Sequence, residues 1–304
     1  GYIQIDKLPM FGNPQWFTDN LRVKIGHFQV NYGDQQFRRS DNGNAMYNPF
    51  VGNYMMDAFT TEIGGEAYLF LPGGFMGMVG MTSGYINGNV AEGDHRSPSI
   101  YAKLAYDKQI NPDFRFRLSG SVYNNSGVGR NTLYAGDRGG SRFYLVMEEP
   151  GSRAGDAFTS GRVNPNIPNE LTSLMINPFV KFGGLEFFGT FETTSGLRYG
   201  CDVGPDDERR SFTQVAGELL YRFPAATEDF YVGTRYQTVT GEFEQRGVDA
   251  NVNRIEFAAG WFPIDNLLLK VAYQQQNYDE NWSTDNLFFN GEFNGFVIEA
   301  VAGF

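Results

Sequence analysis

Apolar and polar residues alternate two by two along most of this chain, and the alternation is cleanest at its end. In Phe293-Asn-Gly-Phe-Val-Ile-Glu-Ala-Val-Ala-Gly-Phe304, residues Phe296, Ile298, Ala300 and Ala302 share one face; Gly295, Val297, Glu299 and Val301 share the other. Upstream, Leu21, Val23 and Ile25 oppose Arg22 and Lys24, and Phe114, Phe116, Leu118 and Val122 oppose Arg115, Arg117, Ser119 and Ser121. Farther on, Ile255, Phe257, Ala259 and Trp261 oppose Arg254, Glu256 and Ala258. A period of two, with charge confined to one face, predicts strands that meet lipid on one side and water on the other.

The connections alternate as well. Tight turns at Pro72-Gly-Gly74, Asn111-Pro-Asp113, Gly183-Gly184, Pro224–Glu228 and Asp265-Asn266 are separated by longer polar stretches, the mark of an up-and-down meander. About twelve strands follow from Leu21 onward, with one more fragment at Tyr2–Asp6. We therefore expect residues 1–304 to form one all-β domain, a transmembrane antiparallel β-barrel. Closed bacterial barrels use even strand numbers, so a count of thirteen, the fragment included, predicts that strands upstream of Gly1 are missing. Two stretches break the rhythm. Residues 33–60 are expected to fold into the pore, and residues 125–170, including the apolar island Phe143–Val146, to form one long extracellular loop.

Composition narrows the classes further. A net charge of −11 argues against nucleic acid as a partner, and no run approaches the roughly eighteen apolar residues of a spanning helix. Cys201 is the single cysteine, which excludes an internal disulfide and a cysteine-based metal cage. No cofactor and no metal are expected.

The strand period assigns charges to the interior. The basic set is Arg22, Lys24, Lys103, Arg115, Arg117, Lys181, Arg222, Arg235, Arg254 and Lys270, and the acidic set is Glu62, Glu66, Asp107, Glu186, Glu192, Glu218, Glu256 and Glu299. Such a wall, with inward Ser, Thr, Gln and Gly, predicts a water-filled lumen rather than a packed core. Within residues 33–60, Arg38 and Arg39 are expected to face solutes, with Asp34 and Asp41 supplying the opposite charge.

Gly26-His-Phe28 and Asn31-Tyr-Gly33, running into that long insertion, resemble the phosphate-selective porin family, where a strand of this kind precedes a loop folded into the pore. Gln29 and Asn31 stand where that family has lysine and proline, and its phosphate-binding arginines have no one-to-one match here. The resemblance implies a sixteen-stranded, trimeric pore in the bacterial outer membrane, with about three strands absent before Gly1. The ending FVIEAVAGF also looks like the C-terminal strand by which outer-membrane proteins reach the barrel assembly machinery, with Phe304 last.

The expected function is passive diffusion of small hydrophilic solutes or ions, with a preference for anions or phosphate, and no enzyme activity. Three alternatives remain. A structural barrel of an envelope complex would fill its lumen with apolar or tightly paired side chains. An outer-membrane enzyme would need a base, and only His27 and His95 are present, His27 on an apolar strand face. A soluble β-sandwich would stay monodisperse without detergent. The acidic run Asp206-Asp207-Glu208 lacks the ligand spacing of a calcium loop.

Overall fold

A computed structural model describes residues 1–41, 43–83, 97–127, 131–135, 146–153, 161–197, 209–244 and 246–303. His95, Cys201, residues 206–208, residues 143–145 of the apolar island and Phe304 lie outside these. Thirteen strands form one antiparallel sheet in sequence order. They are β1 (Tyr2–Ile5), β2 (Leu21–Gln29), β3 (Thr61–Leu71), β4 (Phe75–Thr82), β5 (Ser99–Asn111), β6 (Phe114–Asn125) and β7 (Leu171–Phe182). The second half adds β8 (Leu185–Leu197), β9 (Arg209–Phe223), β10 (Phe230–Gly241), β11 (Ala250–Ile264), β12 (Leu267–Tyr278) and β13 (Glu292–Ala302). A short helix, α1 (Gln15–Asn20), precedes β2.

The strand count and meander agree with the sequence reading; among the described residues no ladder joins β1 to β13. Strands β5 to β13 run 11 to 15 residues, enough for a tilted strand to cross a bilayer. Among the described residues no helix is long and apolar enough to do so. The tight turns all fall at one end of the sheet, the turn side, and the long connections at the other, the loop side.

Exposure follows the period of two. Outward Leu104, Val79, Phe257 and Ile298 are open while the residues between them are covered, so one face carries a continuous apolar band. Toward the turn side this band ends in aromatic rings. Phe75 meets Tyr106 at 4.8 Å, Phe114 meets Phe182 at 6.4 Å, and Tyr221, Phe223, Phe230 and Trp261 follow one another at 5.8 to 6.0 Å. Rings of this kind, apolar in body with a polar edge or hydroxyl in Trp and Tyr, suit the boundary between hydrocarbon and headgroups.

The opposite face departs from the expected open lumen. Toward the loop side, inward Tyr101, Tyr123, Met175, Phe212, Val239, Val252 and Tyr278 form a buried cluster with Tyr32, Met55 and Met56 from the β2–β3 connection. Leu133, Tyr134, Val163 and Ile167 join it, so these parts of residues 125–170 pack into the interior, while Glu149, Pro150, Gly151, Asn164 and Asn166 are exposed. The physical reason is that several inward positions are large and amphipathic: Tyr side chains fill space with their rings and satisfy buried carboxylates with their hydroxyls.

An arginine at an outward mid-strand position tests the band. Val215→Arg on β9 is expected to destabilise the lipid-embedded protein by about 2–4 kcal/mol, measured by denaturant unfolding in liposomes. An unchanged midpoint would mean that β9 does not face hydrocarbon.

Candidate functional site: the β2–β3 segment and the turn-side cavity

Strand β2 ends at Gln29, three residues earlier than the sequence period suggests, because Asn31 leaves the ladder to bind the wall. Its amide donates to Glu66 Oε1 at 3.0 Å, and its side chain accepts from Lys103 at 3.0 Å. Gly33 then takes φ +68°, and a Cβ there would lie 2.2 Å from Met175 Sδ. Only glycine fits both demands, and it turns the chain inward. Residues 34–60 cross the interior in short 3-10 turns, Gln35–Arg38 and Ala45–Tyr47, and irregular backbone.

Several polar groups of this segment meet wall residues. Asp34 pairs with Lys103 at 2.6 Å and with Arg117, and it accepts from Ser119 at 2.5 Å. Its amide donates to Asn177 at 2.9 Å. Burial pushes the Asp34 carboxyl up, but the attraction of Lys103 and Arg117 outweighs it and leaves the group below the usual carboxylate range. Lys270 donates to the carbonyls of Asn48 and Phe50, both at 2.9 Å, and of Ala45 at 3.3 Å, with Glu299 at 3.4 Å. Tyr231 donates to Pro49 O at 2.8 Å; its ring lies on Gly260 across the ladder, where a Cβ would come within 2.1 Å of it.

Arg235 forms the centre of the arrangement. Fully buried, it binds Glu256 at 2.6 Å and Glu218 at 3.4 Å, and its guanidinium stacks on Phe50 and Tyr54 at 4.6 and 5.0 Å. Tyr54 donates to Glu218 at 2.7 Å, while Gln237 and Gln214 accept from the amides of Met55 and Met56. The segment thus touches β3, β5, β6, β7, β9, β10 and β12, so the sheet curls around it.

The expected constriction residues divide. Arg38 binds Glu218 at 2.5 Å and approaches Glu186 at 3.8 Å, and it borders an open cavity. Asp34 borders the same cavity through its anchor. Arg39 does not face solutes: it is 1% exposed, held by Asp41 and Asp57, with its guanidinium 4.3 Å from the Phe59 ring. The two arginines are consecutive, but Arg38 ends a 3-10 turn and Arg39 is extended, so they point apart.

The expected lining residues divide in the same way. Arg22 remains half-open beside Asp6 at 2.6 Å, Lys24 lies 3.8 Å from Glu66, and Lys181 binds Glu228 at 2.8 Å. Arg115 makes two bonds to Asp107, at 2.9 and 2.7 Å. Lys103, Glu62, Glu66, Arg235, Arg254 and Lys270 are buried, contrary to a water-lined wall. Glu62 accepts from Tyr123 and Thr82, and Arg254 donates to Gly161 O at 2.7 Å. His27 is on the outward face opposite Ile63. Among the described residues no group of three His, Cys, Asp or Glu side chains converges on a metal-sized site.

Beneath the segment, on the turn side, a cavity of about 800 Å³ opens between Arg38, Arg115, Arg117, Arg222 and aromatic side chains that include Phe37 and Phe179. Sequence reasoning placed Arg222 inside but missed the aromatics, whose positions depend on the path of the segment.

No family model matches the chain, and no curated protein sequence matches it. Among solved structures it is similar to the outer-membrane expressed OmpT of Vibrio cholerae, at 12% identity and a TM-score of 0.53, over 94% of this chain and 77% of that one. It is also similar to the anion-selective porin from Comamonas acidovorans, at 14% identity and a TM-score of 0.53, over 92% and 70%. A further likeness is to Vibrio cholerae OmpT in a trimer form, at 11% identity and a TM-score of 0.51, over 93% and 76%. The chain has the fold of an outer-membrane β-barrel. With the apolar band and its aromatic border, that fold locates it in the outer membrane of a bacterium.

Two outcomes test the site. Arg235→Leu leaves Glu218 and Glu256 without their shared cation and is expected to cost about 3–5 kcal/mol, with faster proteolysis across residues 48–56; unchanged stability would remove Arg235 from its central place. The lowered titration of Asp34 sets a pH window. Its contribution is complete above the ordinary carboxylate value and is lost only as pH falls through the lower folded value. Protease protection of residues 33–40 should therefore persist from neutrality to about pH 5, and its loss near pH 6 would contradict the anchor.

Proposed function

We propose that the protein is an outer-membrane channel for passive diffusion of small hydrophilic solutes, with a preference for anions, and that it is not an enzyme. The observation that carries this reading is the turn-side cavity, where Arg38, Arg115, Arg117 and Arg222 converge from three separate parts of the chain. Cations gathered around a narrow, low-dielectric opening raise the local concentration of anions. Residues 33–60 act as the constriction, Arg38 being their cationic edge and Asp34 their fixed anchor. Gly26–Phe28 and Asn31–Gly33 resemble phosphate-selective porins, but Gln29 and Asn31 depart from that family and its phosphate-binding arginines have no match here, so the preference proposed is for anions in general. A homotrimer embedded in outer-membrane lipid and delivered by the barrel assembly machinery through its terminal strand is the form we infer.

One observation favours a second reading. The loop-side interior is packed with Tyr, Met and Val side chains around residues 30–60, as a non-conducting scaffold barrel of an envelope complex would require.

Planar-bilayer recording under a salt gradient separates the two. Stepwise conductance with an anion-directed reversal potential is expected. Arg115→Gln or Arg222→Gln should each weaken the anion preference roughly threefold, the value of one unit charge about 7 Å from a passing ion in water. A folded barrel that passes no current would sink the channel and leave the scaffold.

A further inference from the structure

We propose that the turn-side cavity binds organic monocarboxylates with a flat aromatic or apolar body in preference to small inorganic anions. This rests on the channel reading and names the class of solute it carries.

A third of the residues lining the cavity are aromatic. Phe37, Tyr47, Phe179, Phe188 and Phe262 stand between its arginines. Phe37 and Tyr47 are 45% and 67% exposed, although the segment that carries them buries Phe50, Val51, Tyr54 and Met55 completely or nearly so. The segment therefore has interior places for its apolar residues, and these two are left in the opening, where covering them with an apolar surface is favourable. In a mouth built only for hydrated inorganic ions, exposed rings gain nothing.

The same rings orient the cations. Phe179 lies between the guanidinium groups of Arg38 and Arg115, at 5.7 and 5.9 Å, and Phe188 is 4.7 Å from that of Arg38. Stacking fixes the plane of a guanidinium and leaves its edge for a carboxylate. Arg115 spends two donors on Asp107, and Arg38 and Arg222 each use one in hydrogen bonds to Glu218 and Glu186. Each guanidinium has about five N–H groups, so a planar carboxylate still finds a matching pair.

The size agrees. About 800 Å³ suits a small organic molecule, within the roughly 300–1,000 Å³ of ligand cavities, and leaves a phosphate mostly in water.

The test is calorimetric titration of the folded, detergent-solubilised protein with benzoate, acetate and inorganic phosphate, with bilayer recording in parallel. Benzoate is expected to bind about tenfold more tightly than acetate or phosphate. Phe37→Ser with Tyr47→Ser should close the gap between benzoate and acetate; both side chains are exposed, so the fold does not depend on them. Equal affinities in the parent protein, or a benzoate advantage that survives the double substitution, would overturn the proposal. Preferential benzoate binding by a protein that passes no current would support the site while sinking the channel, so the two failures are distinct.

Discussion

Every inward side chain of a curled sheet must find a partner in a space with little bulk water, and the structure depends on how that demand is met. A strand period of two sends Lys103, Glu218, Arg235, Glu256 and Lys270 to the interior along with the residues that solvate an ordinary pore. Unpaired, each would cost several kcal/mol in a low-dielectric interior. The β2–β3 segment supplies the missing groups: a carboxylate for Lys103, backbone carbonyls for Lys270, two aromatic faces for Arg235. Lys103 draws a carboxylate and Lys270 its carbonyls from the segment, whereas Arg235, Glu218 and Glu256 pair with one another on the wall and gain ring contacts from Phe50 and Tyr54.

This division of labour splits the interior into two zones. Toward the loop side, hydroxyls of Tyr32, Tyr101, Tyr123 and Tyr134 cap the carboxylates of Glu192, Glu66 and Glu62, and their rings exclude water. Toward the turn side, arginines take over and the space opens. Glu218 belongs to both zones, since it holds Arg38 at the cavity edge and Arg235 and Tyr54 in the packed part. The polarity of the cavity and the position of the segment are therefore electrostatically linked, through Glu218 and also through Asp34 beside Arg117.

The faces of the strands were legible from the sequence because the two-residue period is local: it put Arg115, Arg117, Arg235 and Lys270 inside without any knowledge of their partners. The tight turns were equally legible from Gly, Pro, Asn and Asp. The path of residues 33–60 was not, because its contacts with the wall join positions as far as 225 apart and leave no periodic trace. Arg38 and Arg39 look alike in a sequence, and only a change in backbone between them sends one to the cavity and the other to Asp57. The packed interior did leave a signal. Tyr68, Tyr101, Tyr123, Tyr231 and Tyr278 all fall on the inward phase, and so many large rings cannot line an empty pore.

Sequential pairing has a consequence for how the molecule is made. Each strand needs only its neighbour in the chain, so the sheet can grow hairpin by hairpin with short loop closures. The β2–β3 segment cannot follow that schedule, because the residues that fix it are spread from β3 to β12. Contacts so distant in sequence form late and slowly. On this ground the wall is expected to form before the segment locks, with Lys270 on β12 completing the anchors that shape the cavity.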